Sequence, residues 1–292
     1  MKLSFVEIRA ELKPYIQAFW IFESSIGMPA SEANLAAPNG CPKLIIPCEN
    51  TITSVADGRV QQSCEEQLYF VGNRQSATLL HTSCRKTEFI GIEFRPHGAY
   101  PVFGIPMVET ANRLLTADIL FSRWGREVTE IIRNYNSLEQ KVSCIQNHLI
   151  DLLRRHSLQS PLVDFCIHRL KTTDGLISIR QLERETGYTR RYLEMLFKSH
   201  VGLSPTVLAG IFRFQKFYVR WAEGLRFDEL KDELYDYYYD QAHFTKEFKR
   251  MTSFSPERFA LEVANEFWPS HYTPLTFRIL TITNPVKQPE FS

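Results

Sequence analysis

The last third of the chain repeats one short pattern, and this repeat limits the fold more than any other feature. Residues 187–205 read GYTRRYLEMLFKSHVGLSP, and residues 238–256, 51 positions later, read YYDQAHFTKEFKRMTSFSP. In both copies a Phe-Lys pair is followed at the same distance by a Ser-Pro pair, and an apolar residue stands four places before the Phe. Self-similarity at a fixed spacing indicates two copies of one supersecondary unit.

Capping signals place helices inside and between these copies. Ser178 and Gln181 have the spacing of a capping box, and Thr189 and Asp240 stand where the N-caps of the following helices belong. The segment 205–224, PTVLAGIFRFQKFYVRWAEG, begins with proline and ends with glycine. A helix of about 18 residues with these ends would be roughly 27 Å long. The pattern therefore predicts two helix-turn-helix units joined by a long helix.

The first part of the chain has a different pattern, rich in short strands and turns. CPKLIIP at 41–47 and EFIGIEF at 88–94 are short apolar or alternating runs, and Asp57-Gly58 marks a hairpin between two further runs. From about Ala111 apolar residues recur at spacings of three and four, which indicates amphipathic helices. SLQSP at 157–161 is the best candidate for a linker.

Charge is informative only locally. The 292 residues carry a net charge of +1, so the whole chain gives no electrostatic argument for nucleic acid. Between 178 and 220, however, eight Lys or Arg oppose three acids, whereas between 223 and 250 five bases oppose eight acids. The first repeat unit is therefore basic and the second is acidic.

The six cysteines form no CxxC pair, and the start of the chain, MKLSFVEIRA, is too short and too charged for a secretory signal. No apolar run approaches the roughly 20 residues of a membrane span. We expect a cytoplasmic protein with unpaired thiols, and neither a membrane partner nor a cofactor.

The second helix of a helix-turn-helix unit enters the major groove and presents its first residues to base edges. Arginine suits guanine, glutamate suits the cytosine amino group, glutamine suits adenine, lysine suits guanine and alanine suits the thymine methyl group. The side chains predicted to face outward and read bases are Arg190, Arg191, Glu194 and Met195 in the first unit, and Gln241, Ala242, Thr245 and Lys246 in the second.

Other residues of these units have different predicted roles. Leu193, Phe197, Phe244 and Phe248 lie on the opposite helix faces and should be core. The basic residues placed for phosphate contacts are Arg180, Lys198, Lys249 and Arg250.

SIRQLERETGYTRRYLEMLFKSHVGLSP and YYDQAHFTKEFKRMTSFSP resemble the two halves of the DNA-binding domain of AraC-type (AraC/XylS) transcription regulators, over residues 160–260. The resemblance implies a bacterial regulator, not an enzyme, that reads two successive major-groove segments of an asymmetric site in double-stranded DNA. By position, it assigns base reading to Arg191, Glu194 and Met195 and to the four residues of the second unit. It also implies a homodimer and makes RNA polymerase a candidate partner.

LKPYIQAFWIFES, APNGCPKLII, FVGNR and FIGIEFRPHGAYPVFGIP are similar to the β-rich, cupin-like sensor domain often attached to such units, over about residues 5–110. This similarity implies an effector or dimerisation module. The candidate effector pocket consists of Trp20, Phe22, Tyr69, Arg95 and His97. Aromatic residues at strand spacing are also typical of a core, and the last two residues are equally compatible with a structural role in a loop.

The predicted fold class is α+β, with a cupin-like domain, a helical connector and an all-α domain of two helix-turn-helix units joined by a long helix. The predicted parts are the effector or dimerisation domain at 1–110, the connector at 111–158, the DNA-binding domain at 159–263 and a tail at 264–292. In the tail, LTFRILTI at 275–282 is either a strand added to the N-terminal sheet or part of a loosely ordered end. The apolar faces of the connector helices are candidate dimer contacts.

Several residues depart from the AraC-type pattern. Glu183 stands where a small alanine is usual, Lys231 or Glu233 has the same place in the second unit, and Ser253 replaces a glycine. Met195 replaces a polar base reader. Because the second unit is acidic and atypical, we expect the first unit to hold DNA more strongly and the second to add specificity or regulation.

Three alternatives stay open at this point. The chain could be a regulator-like module that binds proteins and has weak DNA affinity, or a cupin-type metalloenzyme fused to a DNA-binding domain. The metal candidates near one another in sequence are His81, Glu93 and His97, which lack the HxH pair of cupin sites. A reactive thiol is the third alternative, and Cys84, beside two basic residues, is its candidate.

Overall fold

The computed structural model describes residues 2–25, 34–56, 58–63, 67–82, 84–135, 137–156, 158–222, 237–238, 240–256 and 258. Within these ranges a β-rich N-terminal part is followed by helices, which confirms the predicted α+β class. The tail at 264–292, with its candidate strand, and the positions 231 and 233 lie outside the described residues.

Antiparallel strands of the N-terminal part form two sheets. The six-stranded sheet has the order β1-β2-β9-β4-β7-β10, and the four-stranded sheet has the order β3-β8-β5-β6. The strands are β1 Lys2–Phe5, β2 Ile16–Ser24, β3 Asn34–Ala36, β4 Lys43–Glu49, β5 Thr53–Ala56, β6 Arg59–Gln62, β7 Tyr69–Val71, β8 Thr78–His81, β9 Thr87–Phe94 and β10 Leu114–Thr116. The hairpin predicted at 57–58 is confirmed, because β5 pairs with β6 and Gly58 has a φ of 73°.

Most of the α-helices come after the last strand, whereas α1 lies between β9 and β10. Their bounds are α1 Ala99–Phe103, α2 Ala117–Asn134, α3 Leu138–His156, α4 Pro161–Thr172, α5 Ile179–Thr186, α6 Arg190–His200, α7 Pro205–Ala222 and α8 Gln241–Thr252. Among the described residues no single helix has the length and hydropathy to cross a bilayer; α6 with residues 205–217 does so only as a pair bent by 67°.

Strand β2 is buried along most of its length because both faces of the larger sheet are covered. Phe19 packs with helices α2 and α3, whereas Trp20 points to the other side, towards the smaller sheet. Gly91 lies opposite Trp20 on β9, and a Cβ there would sit 1.9 Å from the indole ring, so only glycine leaves room for it. The predicted connector helices thus share one hydrophobic core with the sheet.

The apolar faces of α2 and α3 are buried in this core. Trp124, Val128, Ile145 and Leu149 are at most 5% exposed and pack with the strands. The faces that suggested dimerisation are therefore already covered within the chain, and a dimer contact would have to use another surface.

A second core joins the helices from α4 to α8. All four residues predicted to face inward are buried: Leu193 and Phe197 on α6, and Phe244 and Phe248 on α8. The long helix lies between them, since Phe217 of α7 contacts both aromatic rings of α8 at centroid distances of 6.1 and 5.6 Å.

The predicted N-caps are confirmed, but the capping box at Ser178 is not complete, because the Gln181 side chain donates to Glu185 instead. The side chains of Ser178, Thr189 and Asp240 accept hydrogen bonds from backbone N–H groups in the first turns of α5, α6 and α8. Gly187 ends α5 in the left-handed region, at a φ of 74°. Ser253 ends α8 at a φ of 70°, a conformation that favours glycine.

The two parts of the chain are in direct contact. Asn73 Nδ2 donates to the Val201 carbonyl at 2.8 Å, and Gln215 Nε2 of α7 donates to the Pro38 carbonyl. Gly202, with a φ of 81°, lies so close to Met107 that a Cβ would meet its carbonyl oxygen at 2.6 Å. The end of α6 and one side of α7 are therefore attached to the N-terminal part.

Candidate nucleic-acid interface

Helices α5 and α6, joined by the turn at 187–189, form the first helix-turn-helix unit. Inward packing of Leu193 and Phe197 fixes the rotation of α6, so the opposite side faces solvent. On that side Arg190, Arg191 and Met195 are exposed, the last to 59%, and Glu194 is half-buried. The structure thus brings the four predicted base readers of this unit together on one accessible helix face.

Two of these readers are paired with each other. Arg190 Nε donates to Glu194 Oε1 at 2.7 Å, one helical turn further along. This hydrogen bond raises the pKa of the Arg190 guanidinium. Among the residues that the structure describes, Arg191 has no ion-pair partner, so its charge is not balanced on this face.

Glu183, the charged residue in place of a small alanine, has a local role that the sequence did not reveal. Its Oε1 accepts from the backbone N–H of Arg190 at 2.5 Å. A carboxylate at this position satisfies a free donor and interacts favourably with the positive end of α6. The charge is accommodated at the start of α6 rather than inside the helix packing.

The turn is further ordered by a stacked pair of tyrosines that sequence reasoning missed. The rings of Tyr188 and Tyr192 are 5.0 Å apart and nearly parallel. They are 47% and 38% exposed and adjoin the predicted base readers. Their spacing of four residues across the start of a helix was the signal that could have identified this contact.

In the second repeat copy the structure describes α8, whereas residues 223–236 lie outside the described ranges. The predicted readers Gln241, Ala242 and Lys246 are exposed and Thr245 is half-buried. Because Phe244 and Phe248 anchor the other face to α7, these four side chains also share one accessible side.

The predicted phosphate contacts divide into two groups. Arg180, Lys198 and Lys249 are exposed, as phosphate contacts require. Arg250 is half-buried, and it donates two hydrogen bonds to Glu247 at 3.1 and 3.0 Å. Its charge is thus balanced within α8.

The predicted effector residues do not form one site. Trp20 and Tyr69 line a cavity of about 560 Å³ between the two sheets, whereas Phe22 stacks on Phe89 at 4.6 Å. Arg95 and His97 line a separate cleft where the N-terminal part meets α4.

That cleft is an interdomain contact. His97 Nε2 lies 3.0 Å from Asp164 Oδ1 of α4, and the rings of Tyr100 and His200 are 4.2 Å apart. Burial lowers the pKa of His200, which favours its neutral form beside the tyrosine.

The wall of the cavity includes part of a buried charge cluster that sequence reasoning also missed. Glu93 is completely buried, and its Oε2 is 3.2 Å from Lys43 Nζ and 3.1 Å from Asn39 Nδ2. Burial raises the pKa of Glu93, while Lys43 and Asn39 act in the opposite direction. Burial next to Glu93 likewise raises the pKa of the Cys41 thiol to about 12, so this thiol stays protonated at neutral pH.

The three metal candidates have separate surroundings. Glu93 is engaged by Lys43, His97 faces Asp164, and His81 ends β8 in the smaller sheet. Over the described ranges, no group of three or more His, Cys, Asp or Glu side chains could hold a metal ion.

One family model matches the N-terminal part of the chain. Residues 8–116 match the family model described as a domain of unknown function, DUF6597. That domain is found in AraC-type regulators, which fits the resemblance seen in the sequence motifs and the cupin-like N-terminal part. No curated protein matches the chain.

Among solved structures, the chain is similar to apo ToxT K231A from Vibrio cholerae strain SCE256, with 12% identity, a TM-score of 0.45, and coverage of 88% of this chain and 99% of that one. ToxT from Vibrio cholerae O395 bound to (E)-4-(8-methylnaphthalen-1-yl)but-3-enoic acid matches at 12% identity and a TM-score of 0.44, covering 83% and 98%. The Cupin_2 domain of an XRE family transcriptional regulator from Enterobacter cloacae matches at 10% identity and a TM-score of 0.27, covering 32% and 96%.

Proposed function

We propose that the protein is a sequence-specific DNA-binding transcription regulator of the AraC type, controlled by a small molecule bound to its N-terminal part. One observation carries this proposal. Helix α6 follows a capped turn, buries Leu193 and Phe197 completely, and leaves Arg191 and Met195 exposed at the place where a recognition helix meets base edges.

The first unit supplies the main DNA contact. Arg191 is the candidate for a bidentate contact to guanine, Met195 offers an apolar surface to a thymine methyl group, and Glu194 accepts from cytosine. Exposed Arg180 and Lys198 add phosphate contacts, which fix the position of the helix on the duplex.

The second unit contributes specificity more than affinity. Helix α8 exposes Gln241, Ala242 and Lys246. The charge of Arg250 is already balanced by Glu247, so α8 has one phosphate-binding cation fewer than its sequence suggests. Helix α7 carries both recognition helices, which suits two successive major-groove segments.

Fluorescence anisotropy with a labelled duplex from the region upstream of the gene tests the proposal. We expect Arg191→Ala to weaken specific binding by about 10- to 100-fold, because a lost guanine contact costs ~1–3 kcal/mol. Arg155→Ala is the matched control, because it removes an exposed arginine of α3, outside the helix-turn-helix unit, and it should bind like the wild type. Unchanged binding in both Arg190→Ala and Arg191→Ala would reject α6 as the recognition helix.

A second candidate function is a protein-interaction module with weak DNA affinity. The pairing of Arg190 with Glu194 and of Arg250 with Glu247 favours it, because both pairs reduce the positive charge on the recognition helices. Micromolar or weaker binding of every tested duplex, together with a stable complex with another transcription factor, would favour this alternative.

The remaining partners belong to the same proposal. A regulator of this class would bind a second copy of itself, as a homodimer, and RNA polymerase. We also expect no catalytic activity. Sedimentation of the purified chain with and without DNA measures the first of these expectations.

A further inference from the structure

The cavity between the two sheets has an apolar interior. Its volume of about 560 Å³ suits a small organic ligand, since such sites usually measure about 300–1,000 Å³. Trp20, Ile45, Leu80, Phe89 and Leu114 supply large apolar surfaces to its wall.

The charged residues around this cavity all have the same sign. They are Lys43, Arg59, Arg74 and Arg113, and no Asp or Glu occurs among the described residues that line it. Arg74 Nη1 donates to the Asn112 carbonyl and Arg113 Nη1 to the Glu109 carbonyl, at 3.3 and 3.0 Å, so both side chains are held in place. Glu93, which does not line the cavity, pairs with Lys43 at 3.2 Å, so the net positive charge of the wall comes from the arginines, and a partly enclosed site of this charge selects anions.

We infer that the cavity binds an organic anion with an apolar body: a carboxylate or similar oxyanion that meets Lys43 and the arginines, attached to an aryl or alkyl group that fills the space between the sheets. This inference deepens the proposed function, because it names the chemical class of the effector. Arg95 and His97, the two basic residues that the sequence suggested, lie in the other cleft and take no part.

The same wall of the cavity carries the contact with the DNA-binding part. Residues 37–41 line the cavity, and Gly40 packs against α7, where a Cβ would lie 2.6 Å from Leu208 Cδ1. Asn39 of this loop donates to Glu93, and Lys43 binds Asn39 Oδ1 at 3.0 Å. An anion that attracts Lys43 therefore competes with Glu93 and Asn39 and displaces the segment on which α7 rests.

Isothermal titration calorimetry of the full chain tests the ligand class with matched probes. The probes are 4-phenylbutyrate and octanoate, each with its uncharged amide and its amine of the same carbon skeleton. We expect each carboxylate to bind at least about tenfold more tightly than its amide, and the amine to bind most weakly. Equal or tighter binding of the amides or amines, or no carboxylate binding at millimolar concentration, overturns the inference.

Variants locate the charge that is responsible. Arg59 and Arg113 are exposed, so Arg59→Gln and Arg113→Gln should fold normally. Each change should lower the affinity for the carboxylate about threefold and leave the affinity for the amide unchanged. Lys43→Met should abolish most of the preference, and Lys43→Met with Glu93→Leu repeats the test without leaving a buried carboxylate unpaired. Arg155→Gln is the control. A preference for carboxylates that survives in all four cavity variants places the anion elsewhere and overturns the inference.

The outcome for DNA is measured separately, by anisotropy with and without 4-phenylbutyrate. Selective anion binding by a chain that binds no duplex would reject the proposed function and leave the cavity assignment intact. Specific DNA binding by a chain without anion preference would reject only the present inference.

Discussion

The ion pair on the recognition helix gives the sharpest test of how the first unit reads DNA. In the free protein Arg190 Nε lies 2.7 Å from Glu194 Oε1, and the two side chains are 62% and 32% exposed. Exposed pairs contribute little to stability, so Glu194→Gln should leave the unfolding transition unchanged. On DNA, however, the change frees Arg190 for a phosphate and removes the acid that would accept from cytosine.

Both effects have magnitudes that anisotropy can measure. One additional phosphate contact makes the slope of log K against log [salt] steeper by about 0.9, so the affinity that it adds falls about 3.5-fold between ~50 and ~200 mM KCl. Binding to a scrambled duplex should therefore increase at low salt. The ratio of specific to scrambled binding should fall about tenfold, because the cytosine contact is lost.

Glu185→Gln is the matched control for this experiment. Glu185 pairs with Arg169 of α4 at the same distance of 2.7 Å, but it belongs to α5 and not to α6. It should change neither the salt slope nor the ratio. If Glu194→Gln also leaves both unchanged, then Arg190 and Glu194 do not face DNA, and the orientation assigned to α6 is wrong.

Two further predictions concern stability. Ser253→Gly should stabilise the chain by about 0.5–1 kcal/mol in chemical denaturation, because Ser253 has a φ of 70°, which is strained for a residue with a Cβ. The equivalent position in the first repeat copy is Gly202, which adopts a positive φ without that strain. A destabilised variant would show that contacts of the serine side chain outweigh the backbone strain. Burial raises the pKa of Glu93 above its ordinary 4.5, so its contribution to stability is complete below that pH and is lost as the pH rises through the folded-state value. Glu93→Gln cannot titrate, and its free energy of unfolding relative to the wild type should therefore increase with pH in a denaturation series above about 4.5; a difference that stays constant with pH would mean that Lys43 keeps the carboxylate ionised throughout.

The helical third of the fold was predictable because its signals are local. Thr189 and Asp240 cap the helices that begin directly after them, and the spacing of Leu193 and Phe197 identifies the buried side of α6. Each of these signals lies within one or two turns of the structure that it specifies.

The cavity could not be predicted because its charges are brought together only by strand pairing. Lys43 belongs to β4, Arg59 to β6 in the other sheet, and Arg113 to the segment before β10. Nothing in the sequence near these residues records which strands become neighbours. The sequence suggests Arg95 and His97 as effector residues, but β9 ends at Phe94 and the next turn carries them to the side that faces α4.

The position of the loop at 37–41 explains how an N-terminal ligand could act on both recognition helices at once. One side of this loop belongs to the cavity and the other to α7, the helix that packs against α6 and α8. Gly40 has a φ of 74°, and its lack of a Cβ lets the backbone approach Leu208 directly, without a flexible side chain between them. Because closely packed groups transmit displacement, a shift of this backbone cannot be absorbed locally and must either move α7 or open the contact. Since α6 and α8 both pack against α7, a movement of α7 would reach both helices.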